Sequence, residues 1–367
     1  MSPIRRLKKV RAAAGEVVSK GAAALAPTDS VEPGPSIPEG GVPKITNETI
    51  TEHREEVLKG ARKYIYPLAH SKRRIVSVTI SITVAAVAAF GVYCGLALYR
   101  FYQYNSFLYR VTQLVPAPIA RVGHTYIAYE NYLFELRQYV HYYQTQQQQD
   151  FSNPSDKQQL LSFRKQALQD VINQAYIKIL AQDNGVSVNN KEVNQRMQLL
   201  RDQNRIGSSD KVFADVLRDY YGWSINDFKR TVKQQILSEK VAATLNTAAN
   251  AKANSALSKL KKGANFTNLA KKVSEDKSSA GKGGSYGFAI DKSNPNVPPQ
   301  VTQALFGLKV GQTSGVIVTS GSLEIVKLLT KNANTVTAQH ISFKLTDISV
   351  YIDKLKAKEP PRSYVHF

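Results

Sequence analysis

Cysteine is almost absent from this 367-residue chain, in which Cys94 is the only one. A single thiol excludes an intramolecular disulfide and cysteine-based metal sites. Histidine is also scarce, and the six histidines show no metal-ligand spacing. The sequence lacks a G-x-S-x-G elbow, a phosphate-binding loop, an HExxH helix and an EF-hand loop. We therefore expect no metal, no cofactor and folded parts that depend on packing alone.

Acidic residues are the second shortage. The chain has 28 Asp and Glu against 49 Lys and Arg, which gives a formal net charge of +21. Such a surplus favours anionic neighbours: lipid headgroups, wall polymers or acidic polypeptide clients. Nucleic acid is the other usual partner of a basic chain, but the sequence contains no nucleic-acid-binding motif. We expect no nucleic-acid partner.

Charge is missing altogether from residues 75–98, IVSVTISITVAAVAAFGVYCGLAL. A helix of this length extends about 36 Å, enough to cross a hydrocarbon core of about 30 Å. A buried core helix is the alternative, and the run is too long for the core of a cleaved signal peptide. Basic residues crowd the preceding side: Arg54, Lys59, Arg62, Lys63, Lys72, Arg73 and Arg74. The positive-inside rule therefore predicts a single-pass anchor with the preceding residues in the cytoplasm and the later ones outside.

Composition and periodicity divide the chain further. Residues 1–45 are rich in Pro, Gly and Ser and predict disorder. Apolar residues recur at helical spacing in 163–182, which predicts an amphipathic helix. After residue 251 short helices, glycine turns and alternating strands such as 338–344 predict an α+β region. The predicted divisions are a basic cytoplasmic tail (1–74), the membrane helix (75–98), a juxtamembrane linker (99–118), a helical module (119–248), an α+β domain (249–345) and a final helix and strand (346–367).

Residues 251–344 carry several motifs in a fixed order. They are G-x-x-F-x-x-L-A (Gly263 to Ala270), S-E-D-x-S-S-A (Ser274 to Ala280), G-G-x-x-G (Gly283 to Gly287) and A-L-F-x-L-x-x-G-x-x-S (Ala304 to Ser314). This order resembles the parvulin-type (PpiC, rotamase) peptidyl-prolyl isomerases. The resemblance implies an antiparallel sheet with covering helices and an isomerase activity towards Xaa-Pro bonds.

The helical part before these motifs resembles the chaperone module of SurA- and PrsA-type exported foldases. The matching segments are 122–127, 168–193 and 220–242. This resemblance implies an all-α module that binds unfolded or nascent exported polypeptides.

The sequence departs from the parvulin pattern in two places. The family opens its domain with a central strand carrying His-Ile-Leu, but residues 243–250 predict no strand. A close match, Gln339-His340-Ile341, comes after the closing strand instead. We expect the 338–344 segment to fill the central position as a circular permutation, the alternative being a different strand in an incomplete fold. The second departure is Glu324, which stands where the family often has a second histidine.

The resemblance implies a set of site residues. His340 and Asp276 form the polar group beneath the substrate, with Lys277 in place of Asp276 if the motif is shifted by one residue, and Ser314 and Glu324 as weaker candidates. The alternative for Asp276 is a turn residue that binds its own backbone. The apolar wall is formed by Phe306, Phe288 and Val301 or Val297, for which ordinary core packing is the alternative.

Two functions are compatible with these residues. The first is a membrane-anchored, extracytoplasmic prolyl isomerase that accelerates the folding of exported proteins. The second is a chaperone or scaffold whose isomerase domain has lost catalysis and binds clients only. Glu324 and the relocated strand favour the second, and the ordered motifs favour the first.

Overall fold

The computed structural model describes residues 46–65, 67–151, 153–204 and 209–367. The segment predicted to be disordered, 1–45, lies outside them. The described residues divide into two units between Thr83 and Val84. The described part of the first unit is helical and holds α1 (Asn47–Ile65) and the start of α2 (Pro67–Tyr99).

Helix α2 contains the uncharged segment. Its part from Arg74 to Tyr99 is long and apolar enough to cross a membrane, and it is the one such helix in the described ranges. Apolar side chains from Ile75 to Val92 are exposed, whereas Cys94, Ala97 and Leu98 are buried in the core of the second unit. The final turns of the helix are therefore part of the folded unit.

Most of the second unit is helical. Asn189 and Glu192 cap one helix reciprocally, because each side chain accepts a hydrogen bond from the other's backbone N–H. Ser224 and Asp227 form the same capping box at another. The remaining helices are α3 (Ser106–Leu114), α4 (Tyr129–Gln146), α5 (Pro154–Asp183), α6 (Asn190–Asn204), α7 (Asp210–Tyr221), α8 (Ile225–Leu245), α9 (Thr247–Lys261), α10 (Phe266–Val273), α11 (Lys277–Ala280), α12 (Pro299–Gly307) and α13 (Ile348–Lys358).

The strands form two antiparallel sheets, so the mixed helix-and-sheet prediction is confirmed. The larger sheet has the order β3-β6-β5-β4, and the smaller one the order β2-β1-β7. The strands are β1 (Pro118–Val122), β2 (Thr125–Ala128), β3 (Ile290–Asp291), β4 (Ile317–Val318), β5 (Ser322–Lys331), β6 (Thr335–Lys344) and β7 (Arg362–Ser363).

The larger sheet separates two cores because successive side chains of a strand point to opposite faces. Leu323, Ile325, Ile341 and Phe343 pack with α9 and α10 on one face. The other face has an apolar half, where Val326 and other residues pack against α12. The polar half of that face carries Glu324, His340 and Ser342, all buried.

The smaller sheet was not predicted from the sequence. Its hairpin β1–β2 lies within the module expected to be all-α, and β7 comes from the far end of the chain. Hydrogen bonds hold this returning segment, including those from Tyr364 N–H to Ile119 O at 2.9 Å, from Tyr176 Oη to Glu359 O at 2.6 Å and from Tyr102 Oη to His366 O at 3.0 Å. Residues 346–367 thus close back onto the helical region, with the strand two residues earlier than the 364–367 expected.

The segment 99–118, predicted as a linker, includes the packed helix α3. Leu108 is completely buried in the same core as Ile119 and Leu133. Asn105 caps α3 by accepting a hydrogen bond from Leu108 N–H at 2.9 Å. The folded unit therefore begins within α2. The exact domain boundaries given above stay predictions.

Replacing Leu108 by Ala tests whether α3 is part of the core. We expect a loss of about 2–5 kcal/mol in the free energy of unfolding, because the substitution leaves a cavity at a fully buried site. Gln113→Ala, at an exposed position of the same helix, is the matched control and should change it by less than about 0.5 kcal/mol. Denaturant unfolding of the full chain in detergent measures both, and equal small effects would show α3 to be a loose linker.

Candidate functional site

Pairing of β5 with β6 brings His340 and Glu324 together. Val326 lies directly opposite His340, and Glu324 lies opposite Ser342, so Glu324 and His340 are diagonal neighbours on one face. Nδ1 of His340 is 2.9 Å from Oε2 of Glu324, and their side chains are only 10% and 8% exposed. Ser322 Oγ donates a second hydrogen bond to Glu324 Oε1 at 2.6 Å. The carboxylate that replaces the expected histidine therefore binds the imidazole directly.

The other ring nitrogen of His340 faces Asp276 and Ser279. Nε2 is 3.1 Å from Oδ2 of Asp276 and 2.8 Å from Oγ of Ser279. Ser279 Oγ in turn donates to Asp276 Oδ2 at 2.5 Å. The imidazole thus lies between two carboxylates. Ser279 was not predicted, although it belongs to the same S-E-D-x-S-S-A motif.

Asp276 has a structural as well as a polar role. It caps the short helix α11 by accepting hydrogen bonds from the N–H and the Oγ of Ser278. Burial raises the pKa of its carboxyl. The hydrogen bonds from Ser279 and Ser278 and the nearby His340 lower this pKa by more, so that it falls to about 2. The carboxylate is therefore ionised at neutral pH. Asp276 is therefore both a turn residue that binds the nearby backbone and a neighbour of His340.

Aromatic side chains cover the imidazole. The ring of Tyr286 stacks on that of His340, with 4.3 Å between centroids and an interplanar angle of 20°. Phe288 meets Tyr286 edge-on at 6.0 Å and is 42% exposed. Burial, then the charges of Glu324 and Asp276, raise the pKa of Tyr286. Tyr286 was missed, but its position within G-G-x-x-G beside the predicted Phe288 was an available signal.

Gly284 explains why this motif needs glycine. Its φ is +80°, and an added Cβ would overlap the backbone carbonyl oxygen of His340. His340 N–H donates to Gly284 O at 2.7 Å. The glycine turn therefore approaches the strand closely enough to fix the position of His340.

Ser314 lies apart from the His340 group and supports the sheet. Its Oγ accepts a hydrogen bond from Val326 N–H at 3.0 Å and donates one to Gly315 O at 2.7 Å. Both described partners are backbone groups. The geometry therefore gives Ser314 a strand-pairing contact.

The residues predicted for the apolar wall occupy different depths. Val301 of α12 and Val297, which precedes this helix, are completely buried in the core between α12 and the sheet. Phe306 is partly buried against the same core, and Lys292 Nζ lies 5.5 Å from its ring centroid. Only Phe288 and Phe306 expose ring surface, so the two valines support the wall from below.

A groove of about 560 Å³ gives access to the polar group. Its lining includes Asp276, Lys277, Glu324, His340 and Ser342. Asp276, with 28% of its side chain exposed, is the most accessible of the three acid–base groups. The described residues contain no group of three metal-ligating side chains. The arrangement offers hydrogen bonds and fixed charge to a bound amide.

Two protein-family models match parts of the chain. A SurA-like N-terminal domain matches residues 69–242, and a PPIC-type PPIase domain matches residues 236–330. The second match ends before β6 begins, so His340 lies beyond it.

The chain is similar to parvulin-like PPIases from several Rickettsia species. Identity is 31% over 170 residues to the protein of Rickettsia prowazekii (strain Madrid E), covering 46% of this chain and 55% of that one. The proteins of Rickettsia conorii (strain ATCC VR-613 / Malish 7) and Rickettsia felis (strain ATCC VR-1525 / URRWXCal2) are each 30% identical over the same shares. The chain thus spans about half the length of these relatives.

Among solved structures, the chain is similar to the foldase protein PrsA from Streptococcus pneumoniae str. Canada MDR_19A. Identity is 21%, the TM-score is 0.19, and the match covers 66% of this chain and 84% of the other. The resemblance of the sequence to parvulin-type isomerases and to SurA- and PrsA-type foldases agrees with the two family matches. Residues 69–242 thus match the SurA-like N-terminal domain, and residues 236–330 match the PPIC-type PPIase domain.

Proposed function

We propose that the protein is a peptidyl-prolyl cis-trans isomerase and foldase for exported polypeptides. The observation that carries the proposal is the imidazole of His340 held between Glu324 and Asp276 at the base of an open groove. The PPIC-type domain match and the similarity to parvulin-like PPIases support it. The substrate is an extended segment containing an Xaa-Pro bond.

The chemistry requires no bond cleavage. Rotation about the Xaa-Pro bond crosses a barrier of about 18–20 kcal/mol that arises from amide resonance. An enzyme accelerates it by binding the twisted amide more tightly than the planar one. We propose that the exposed ring of Phe288, which meets the Tyr286 ring stacked on His340, and the part-exposed ring of Phe306 on the adjoining apolar core bind the proline ring beside the polar groove. The ionised Asp276 and the ammonium group of Lys277, which line the groove, interact with the amide as it loses conjugation.

The polar network fixes the geometry of this pocket. His340 is buried beneath Asp276 and touches it through Nε2, and Glu324 holds the opposite nitrogen. Catalytic contact with substrate is therefore assigned to Asp276, and His340 and Glu324 orient it. A preorganised charge acts without reorganisation when the amide rotates.

We also propose that β6 takes the central strand position by circular permutation. It is an inner strand that pairs with β5 on one side and β3 on the other. The residues before α9 are helical, since α8 ends at Leu245 and α9 begins at Thr247. The PPIase-domain match that ends at residue 330 supports the same view.

The uncharged helix supports anchoring in the cell membrane. Its Arg74–Tyr99 part meets the length and composition needed to span a bilayer. The basic residues that precede it favour a cytoplasmic location for residues 1–74 and an extracytoplasmic one for the folded unit. Lipid is then a partner, and the net charge of +21 favours anionic wall polymers as a further one.

Client binding without isomerisation is the second candidate function, and an aromatic groove favours it. This groove of about 390 Å³ lies in the helical region. Trp223 stacks between Phe134 and Tyr221, at centroid distances of 5.8 and 5.0 Å. Within the described residues Trp223 Nε1 is buried without a hydrogen-bond partner. A peptide carbonyl that entered between the rings would accept that bond.

An Xaa-Pro isomerisation assay on the full chain tests the first function. We expect acceleration at micromolar protein and a loss of about tenfold or more in kcat/KM for His340→Ala and for Asp276→Ala. A tenfold loss corresponds to about 1.4 kcal/mol of transition-state stabilisation. The exposed His124→Ala is the matched control and should retain the wild-type rate. No acceleration by the wild type would refute the isomerase, and unchanged rates in both variants would refute the site.

The low pKa of Asp276 predicts how stability depends on pH. A carboxyl whose pKa falls on folding stabilises the fold above its unfolded pKa of about 3.9, and the stabilisation is lost as pH falls towards its folded pKa. The folded value here is about 2. We expect wild type to be more stable than Asp276→Asn in urea at pH 6, with a smaller difference at pH 3. The exposed Asp183→Asn is the control, and a difference at position 276 that widens at pH 3 would contradict the assignment.

The only tryptophan of the chain lines the aromatic groove, so its fluorescence reports on occupancy. Titration with an unfolded, aromatic-rich peptide should shift the emission of Trp223. Tyr221→Ala should weaken the apparent affinity, because stacked aromatic area is lost from the groove. The exposed Tyr126→Ala, outside the groove, should leave it unchanged. Peptide binding without any change in Trp223 emission would place the client site elsewhere.

A further inference from the structure

One face of α3 exposes a continuous apolar stripe that the proposed function does not use. We define the α3 stripe as Phe107, Val111 and Leu114 together with Val115, which caps the C-terminal end of α3. Phe107, Leu114 and Val115 are 52%, 84% and 62% exposed, whereas Val111 packs partly against the core and the adjacent Leu108 is fully buried. Positions 107, 111 and 114 share one side of a helix. A folded unit seldom leaves so much apolar surface on one short helix without a partner.

The α3 stripe is continuous with the apolar surface of α2. The ring of Phe107 meets that of Phe90 edge-on, with 6.2 Å between centroids. Phe90 belongs to the uncharged segment and is itself 46% exposed. Whatever covers α2 around Phe90 therefore also reaches Phe107.

The length of the uncharged segment places this contact at a membrane boundary. A hydrocarbon core needs about 20 helical residues. Counted from Ile75, which follows three basic residues, that length ends near Cys94. Phe90 lies about 6 Å before that point along the helix. Since Cys94, Ala97 and Leu98 are already buried in the folded unit, the unit has no spacer that could lift α3 away.

Charged and aromatic neighbours fit the headgroup layer. Arg100 and Arg110 are exposed, as is Phe101. Arginine side chains beside apolar ones can reach phosphate oxygens while their stems stay in the interface. This chemistry matches a phospholipid surface.

We propose that α3 is an interfacial helix whose stripe inserts into the outer boundary of the bilayer, with Arg110 at the phosphates. The proposal rests on the membrane anchor of the proposed function and adds a second lipid contact to it. The folded unit is then fixed against the membrane surface by two elements. The aromatic groove around Trp223, which Tyr104, Asn105 and Tyr109 also line, then opens beside that surface.

An environment-sensitive fluorophore on single cysteines tests the proposal in the full chain. The background is Cys94→Ala, and the reporter positions are Leu114→Cys on the stripe, Val84→Cys in α2 and Val212→Cys on the exposed side of α7. The protein is reconstituted in nanodiscs of phosphatidylcholine and phosphatidylglycerol, with and without brominated acyl chains. We expect blue-shifted emission and bromine quenching at positions 84 and 114, and iodide quenching only at 212.

The three positions separate the possible failures. If bromine quenches the fluorophore at position 84 but only iodide quenches it at position 114, as expected for position 212, the interfacial helix is refuted and the anchor stands. Loss of bromine quenching at both 84 and 114 would overturn the anchor and the proposal together, and the isomerase assay would stand independently. Val115→Cys provides a second stripe reporter if Leu114→Cys does not fold, with Trp223 emission as the folding check.

Discussion

The register between β5 and β6 is the constraint on which the site depends. It places Glu324 and His340 as diagonal neighbours on one sheet face, and the adjoining turn at 276–279 supplies the second carboxylate. A slip of one residue would move His340 to the opposite face, into the core formed with α9 and α10. Buried polar groups are costly unless they are paired, so the network is tolerated only because each member has a partner.

The two halves of this sheet face have different roles. α12 covers the apolar half and provides a rigid support. Val297 and Val301 are entirely buried in the core between this helix and the sheet. Tyr286 covers part of the polar half, and the part that stays open forms the groove. A proline ring placed at the border would meet apolar surface on one side and fixed charge on the other.

The elements that could be predicted are those with strong local signals. The uncharged helix and the amphipathic 163–182 segment follow from composition and periodicity, and the α+β class follows from the short helices, glycine turns and alternating strands after residue 251. His340, Asp276 and Glu324 were predicted through the resemblance, and the structure brings them together. The roles of these residues stay a proposal.

Other features depend on contacts that are distant in sequence. The hairpin β1–β2 is short, and its third strand comes from the far end of the chain, so no local pattern indicates it. Tyr286 and Ser279 join the site only because a glycine turn approaches β6 closely. Burial of Val297 and Val301 is likewise a tertiary property, since an apolar residue near a motif fits a pocket wall and a core equally well.

We propose that Glu324 and His340 act as one hydrogen-bonded unit in isomerisation, and the effects of residues that act together are not additive. The measurement is kcat/KM for Glu324→Gln, His340→Gln and the double variant. We expect the double variant to be about as impaired as His340→Gln alone. Losses that multiply, so that the double variant falls by the product of the two single effects, would contradict it.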